Sequence, residues 1–179
     1  SLDQVRVYLD QVGANYTVLP DDRALIEHVA EMLTHEKVIG WFEGRMEFGP
    51  RALGGRSIIG DARSAKMQET MNLKIKFRES FRPFAPSVLE ERTSEYFDLD
   101  VKSPYMLLVA PVKGSKRRAM TDSEESLFGI DKLNVARSEI PAVTHVDYSA
   151  RVQTVGKDSN PLFYGMIKKF YEKHGCPVI

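Results

Sequence analysis

Between Gly44 and Pro86 the chain gathers the residue types that hold anions. One run reads Gly44-Arg45-Met46-Glu47-Phe48-Gly49-Pro50-Arg51-Ala52-Leu53-Gly54-Gly55-Arg56-Ser57, and a second reads Lys74-Ile75-Lys76-Phe77-Arg78-Glu79-Ser80-Phe81-Arg82-Pro83-Phe84-Ala85-Pro86. From Trp41 to Glu90 nine residues are basic and six acidic, a local excess of three. These arginines sit among glycines, prolines and large apolar residues, not on a regular polar helix face. Glycine lets backbone N–H groups approach an anion closely. The arginine fork matches phosphate or carboxylate oxygens two at a time. A polyphosphate or carboxylate site on a packed scaffold follows. Structural ion pairs to Glu43, Glu47 or Glu79 explain the same residues equally well at this level.

The spacing Lys76-x-Arg78-x-x-x-Arg82-Pro83 adds a second point. If residues 76–78 are extended, Lys76 and Arg78 project to one face. Arg82, after a bend, closes on the same pocket. Three converging cations suit nucleotidyl transfer, where negative charge grows at the α-phosphate and on the departing pyrophosphate. The plainer alternative pairs one or two of them with Glu79 or with the carbonyls of a helix end.

Other reactive residue types read as structural. His28 and His35 are seven apart without a carboxylate pattern, so no metal site is expected. His174 reads as a charge near a helix end, Cys176 as a packed thiol, and Lys116-Arg117-Arg118 as a solvated loop tip. The aromatics of the last helical stretch fit a core stripe.

Several elements must position the basic stretch. After a weak helical start, Gly13-Ala14-Asn15 reads as a turn, which makes residues 1–20 a linker or lead-in. Asp21 or Asp22 caps a helix running to about Lys37, with Leu25, Val29 and Leu33 on one face. Val38–Phe42 reads as a buried strand and Ser57–Gly60 as another. Residues 66–75 lean helical, and residues 78–86 are irregular because of their prolines. A short helix is expected over 90–97 and strands over 105–110, 142–146 and 151–155. Residues 111–125 read as an exposed loop, and 127–137 are ambiguous. Asn160 caps a final helix to Lys173, with Leu162, Met166 and Phe170 on one face and Gly175 closing it. Gly175–Ile179 then reads as a loop entering a strand that continues beyond it. Loose alternation of strands and helices predicts one α/β domain over 21–179, a twisted mixed sheet flanked by helices.

Bulk properties narrow the function classes. The 179 residues hold 25 basic and 25 acidic side chains, so no global field draws the chain to nucleic acid or membrane. Its 42% hydrophobic and 28% charged residues suit a globular domain rather than a disordered one. One cysteine excludes an internal disulfide and fits a reducing cytoplasm. No apolar run reaches the roughly 20 residues of a membrane span.

The runs quoted above, together with Trp41-Phe42-Glu43, Ser103-Pro104-Tyr105-Met106, Pro141-Ala142-Val143-Thr144-His145-Val146-Asp147 and Ala150-Arg151-Val152-Gln153-Thr154-Val155, resemble the carbamoyltransferase family that includes nodulation protein U. The matches keep the family order from about residue 15 onward. The resemblance implies a YrdC-like C-terminal domain that follows an N-terminal domain of the actin-like ATPase type. That preceding domain would hold the metal and transfer the carbamoyl group. The YrdC-like part is expected to convert ATP, with its Mg2+, and carbamoyl phosphate into a carbamoyl adenylate. Carried over by residue, Lys76, Arg78 and Arg82 are the catalytic candidates. Arg51, Arg56 and Ser57 follow for the nucleotide and carbamate, with Arg151 beside His145. Two departures stand out: Tyr148 replaces a glycine usual after His-x-Asp, and the family's Asn-Thr-Ser-Phe-Asn stretch is not among these residues. Two other readings are an RNA-binding module with a basic face and a non-catalytic nucleotide sensor. The acids interleaved with the arginines count against the first.

Overall fold

The computed structural model describes residues 2–179. Helix α1, Leu2–Gln11, has no buried residue, and an open stretch follows it. Asp21 then starts α2, Asp22–Thr34: its carboxylate accepts the Ala24 N–H at 2.8 Å, and its extended φ of −160° is the conformation an N-cap needs. The every-fourth-residue stripe buries Val29 and Leu33.

Strands β1, Ile39–Phe42, and β2, Arg56–Ile59, pair antiparallel with Ile39 opposite Ile59. β1 is buried at Trp41 alone; Phe42 is 77% exposed, so the expected fully buried strand is a half-buried one. Helix α3, Met67–Met71, continues into a single π-helical turn, Asn72–Lys76, which ends at Phe77 with a left-handed φ of 49°. Lys76 and Arg78 therefore do not lie on an extended segment, contrary to the simple alternation argument. π-turns inside helices recur at functional sites.

A second sheet holds β3, Ser87–Leu89, β5, Ser149–Val155, and β4, Leu108–Pro111, in the order β3-β5-β4. β3 runs parallel to β5 and β4 antiparallel, so the sheet is mixed. Ile179 exchanges backbone hydrogen bonds with Ser87 at 2.9 and 3.0 Å, as a strand entering this sheet would. The strands thus divide between two small sheets within one α/β architecture. Helix α4 is Thr93–Tyr96, preceded by a 3-10 turn; the expected exposed loop over 111–125 ends in a short helix, α5, Asp122–Glu125, and the ambiguous 127–137 stretch holds α6, Gly129–Leu133. Residues 142–146 are not a strand: Pro141–Val143 form a 3-10 turn, where proline at the first position presets the dihedral.

Helix α7, Pro161–His174, packs along α2. Asn160 caps it, accepting the Phe163 N–H, and Gly175 closes it at φ 67°. Phe163, Met166, Ile167 and Phe170 are buried to within 1% and join Val88, Leu89, Val152 and Val155 in the core. Each such side chain stabilises the fold by about 1.5–3 kcal/mol. His174 sits in the last turn of α7, where its Nε2 meets Thr34 Oγ1 at 2.6 Å, and burial, with the Arg63 charge, pushes its pKa down. The Lys116–Arg118 tip is likewise tied in. Lys116 pairs with Glu139, Arg117 donates to the Val112 carbonyl, and Arg118 pairs with Glu124. Among the described residues no helix is long and apolar enough to cross a membrane.

Candidate functional site

A cleft of about 440 Å3 opens between β2, the α3–π-turn segment, residues 83–87, the 142–143 turn and β5. Its floor is apolar, with Ile58, Ile59, Met67, Met71 and Phe84. Around this floor stand Arg51, Arg56, Lys76, Arg78 and Arg151, and among the described lining residues there is no Asp or Glu.

Each carboxylate that could have neutralised these cations is engaged elsewhere. Glu47 Oε1 accepts three backbone N–H groups, from Gly55 at 2.6 Å, Leu53 at 2.7 Å and Arg56 at 3.2 Å. Burial opposes its ionisation, but these donors outweigh it and hold the carboxyl below its ordinary range. Glu47 is thus the clamp that shapes the glycine loop carrying Arg51. Glu43 accepts the Trp41 indole N–H at 3.3 Å, and burial raises its pKa. Glu79 pairs with Arg82 at 2.9 Å.

The cations are held in different ways. The Arg56 guanidinium donates to the carbonyls of Glu43, Gly44 and Gly55 and stacks 3.4 Å from the Phe42 ring centroid. It braces the loop. Ser57 Oγ accepts the Gly54 N–H at 2.9 Å. Arg78 donates its Nε–H to Asn72 Oδ1 at 2.6 Å, with its guanidinium 4.9 Å from the Phe84 ring centroid. Lys76 is exposed at the rim. Arg51 and Arg151 differ from all of these: each has a buried Nε with no hydrogen-bond partner. Burial, followed by the nearby Arg51 charge, pulls the Arg151 pKa down. Two unneutralised guanidiniums lining one cleft form a preformed seat for an anion, because an anion supplies the missing acceptors and removes the repulsion.

Six of the eight residues singled out in the sequence therefore line one cleft: Arg51, Arg56, Ser57, Lys76, Arg78 and Arg151. Arg82 and His145 do not. Arg82 is spent on Glu79. His145 lines a neighbouring, mostly apolar pocket of about 380 Å3 that shares Pro83 with the cleft. Its Nδ1 lies 3.1 Å from Ser149 Oγ, and burial lowers its pKa. Tyr148, which stands where a glycine is usual, has φ 63°, the left-handed region that glycine reaches freely. The tyrosine ring lies under the Arg117 guanidinium at 5.0 Å.

Sequence reasoning missed Asn72 and the role of Glu47. Asn72 is fully buried, and its only signal was a poor helix former inside a helical stretch. No group of three or more His, Cys, Asp or Glu able to hold a metal occurs among the described residues.

A model of the family described as carbamoyltransferase C-terminus matches residues 30–179. An uncharacterized protein of Synechocystis sp. is 58% identical over 179 residues, 99% of this chain and 29% of that protein. Nodulation protein NolNO of Sinorhizobium fredii is 42% identical over 153 residues, 84% of this chain and 20% of its own. Nodulation protein U of Rhizobium fredii is 36% identical over 169 residues, 94% of this chain and 25% of its own. The chain thus spans less than a third of the length of each of these relatives. With a matched model over most of its length and its cation-rich motifs gathered in one cleft, the chain belongs to the carbamoyltransferase family, in the part described as its C-terminus.

Proposed function

We propose that this chain is a YrdC-like nucleotide-handling unit, working in the cytoplasm, that makes a carbamoyl adenylate from ATP and carbamoyl phosphate. The observation that carries the reading is the acid-free cleft, in which Arg51 and Arg151 present buried, unpartnered Nε groups beside Lys76 and Arg78. Carbamoyl phosphate loses phosphate to water and leaves carbamate. A carbamate oxygen then bonds to the α-phosphorus of ATP as the bond to the pyrophosphate oxygen breaks. Charge grows on the α-phosphoryl oxygens and on the leaving pyrophosphate, and fixed guanidiniums stabilise it without reorganising. The apolar floor excludes water from the mixed anhydride. No protein nucleophile is required. With no carboxylate in the lining, Mg2+ would arrive on the phosphate oxygens of ATP and help neutralise the pyrophosphate.

In the longer polypeptide the adenylate would feed an actin-like ATPase-type domain that transfers the carbamoyl group to an acceptor hydroxyl. The short share of each relative that this chain covers leaves room for such a domain.

Calorimetric titration of the chain with ATP and Mg2+, with and without carbamoyl phosphate, tests the first step. Expected are binding to wild type and its loss in Lys76→Ala at unchanged melting temperature. A folded chain that binds ATP with no pyrophosphate release in the longer polypeptide would instead be a sensor. Binding that survives both Lys76→Ala and Arg51→Ala would remove the cleft as the nucleotide site.

A further inference from the structure

One cation of the cleft, Arg78, is held by a residue that touches no solvent. Asn72 is 0% exposed and makes five hydrogen bonds to the segment that follows it. Its backbone carbonyl accepts the N–H groups of Phe77 and Arg78, closing the π-turn. Its side-chain Nδ2 donates to the carbonyls of Ser80 at 2.9 Å and Arg82 at 2.7 Å. Those two donations fix the amide's orientation. A flipped amide would set oxygen against two carbonyl oxygens and N–H against the Arg78 Nε–H. Oδ1 must therefore face Arg78, and it accepts the Nε–H at 2.6 Å.

We infer that Asn72 is a positioning residue that sets the aim of the Arg78 guanidinium in the anion cleft. The inference rests on the adenylation reading for the identity of the ligand, but not for the geometry. A guanidinium has five N–H donors in a rigid fork. Asn72 takes the one on Nε, and Phe84 lies against the guanidinium, 4.9 Å from its carbon to the ring centroid. The four N–H groups of the two terminal nitrogens are then presented in a fixed plane to whatever occupies the cleft. An arginine on a flexible loop would have to lose its rotamer freedom at each binding event; this one has lost it on folding. The same residue pins the carbonyls of Ser80 and Arg82, so the loop between the π-turn and Pro83 cannot swing the fork away.

Two measurements test this. Nitrogen-15 NMR of the unliganded protein reads the Arg78 Nε–H directly. A resolved, slowly exchanging signal is expected, against a fast one from the exposed Arg45. Exchange at Arg78 as fast as at Arg45 would overturn the inference without any variant. The second measurement is a double-mutant cycle read as affinity for ATP with Mg2+. Asn72→Ala is expected to weaken binding about tenfold in the wild-type background, the scale of one charge-assisted contact, and less than about twofold in the Arg78→Ala background. Equal losses in both backgrounds would mean that Asn72 acts on the fold alone. Where Asn72→Ala does not fold, Asn72→Ser replaces it in the cycle. A wild-type chain that binds no ATP while its Arg78 Nε–H stays slow would sink the adenylation reading and leave the positioning of Arg78 standing.

Discussion

Along the seam between α2 and α7, lysines meet carboxylates. Lys173 lies 2.7 Å from both Glu27 and Glu31, and Lys169 lies 2.9 Å from Glu172 and 3.5 Å from Glu27. In the cleft the same kind of charge meets apolar side chains, backbone and other cations. The seam is a solvated surface whose exposed pairs contribute little to stability. The cleft keeps its charges uncompensated where water is partly excluded, which costs stability and is useful only if an anion completes it. Both regions carry basic and acidic side chains; what separates them is where the nearest carboxylates are held. Glu47 is the instructive case, because its three backbone bonds keep it from the arginines of its own loop.

The largest effect expected is in the cleft. Arg151→Ala should weaken ATP binding by about a hundredfold, as loss of a bidentate charged contact does, while its melting temperature holds or rises because the like charge of Arg51 no longer opposes a partly desolvated guanidinium. A fall in both together would make Arg151 a structural ion, and the contrast with the seam would fail. Next is Gly54→Ala. Gly54 has φ +103°, and an added Cβ would meet Phe163 Cδ1 at 2.6 Å and Asn160 Nδ2 at 2.8 Å. Denaturant unfolding should show a loss of about 1–3 kcal/mol, from overpacking and backbone strain.

Tyr148→Gly should shift stability by less than about 1 kcal/mol, since relief of the left-handed backbone is offset by glycine's entropy and the lost Arg117 contact. On the seam, Lys173→Ala should leave both ATP affinity and melting temperature unchanged within error; a marked drop in either would show that the paired surface matters more than its exposure implies. A further effect concerns pH. Burial lowers the pKa values of His145 and His174 in the folded state. The unfolded chain therefore takes up these protons first, so this stability is present above the ordinary histidine value of about 6.5 and is lost as pH falls below it. His174→Gln should flatten that limb of the stability curve between about pH 7 and pH 5.

The family motifs, the caps of α2 and α7, the apolar stripes and the β5 strand were legible in the residues, because each is set by spacing within a few positions. Asp21, Asn160 and Gly175 act on neighbours three or four residues away. The anion-holding character of residues 44–86 was legible too, as residue types. The diversion of Arg82 to Glu79, three residues away, was open to the sequence as an alternative. Which cations stay free was not legible. That depends on partners brought together by folding: Arg151 reaches the cleft from a strand a hundred residues after Arg51, and His145 is turned into the neighbouring pocket. The π-turn that places Arg78 was hidden for the same reason. It is tied down by one buried asparagine whose side-chain donors and acceptor find partners only when residues 78–82 wrap around it. Local chemistry set the elements and the inventory of charge. Tertiary structure decided which charges share one cleft without a carboxylate, because in a partly desolvated site that outcome rests on which side chains folding brings within a few ångströms of one another.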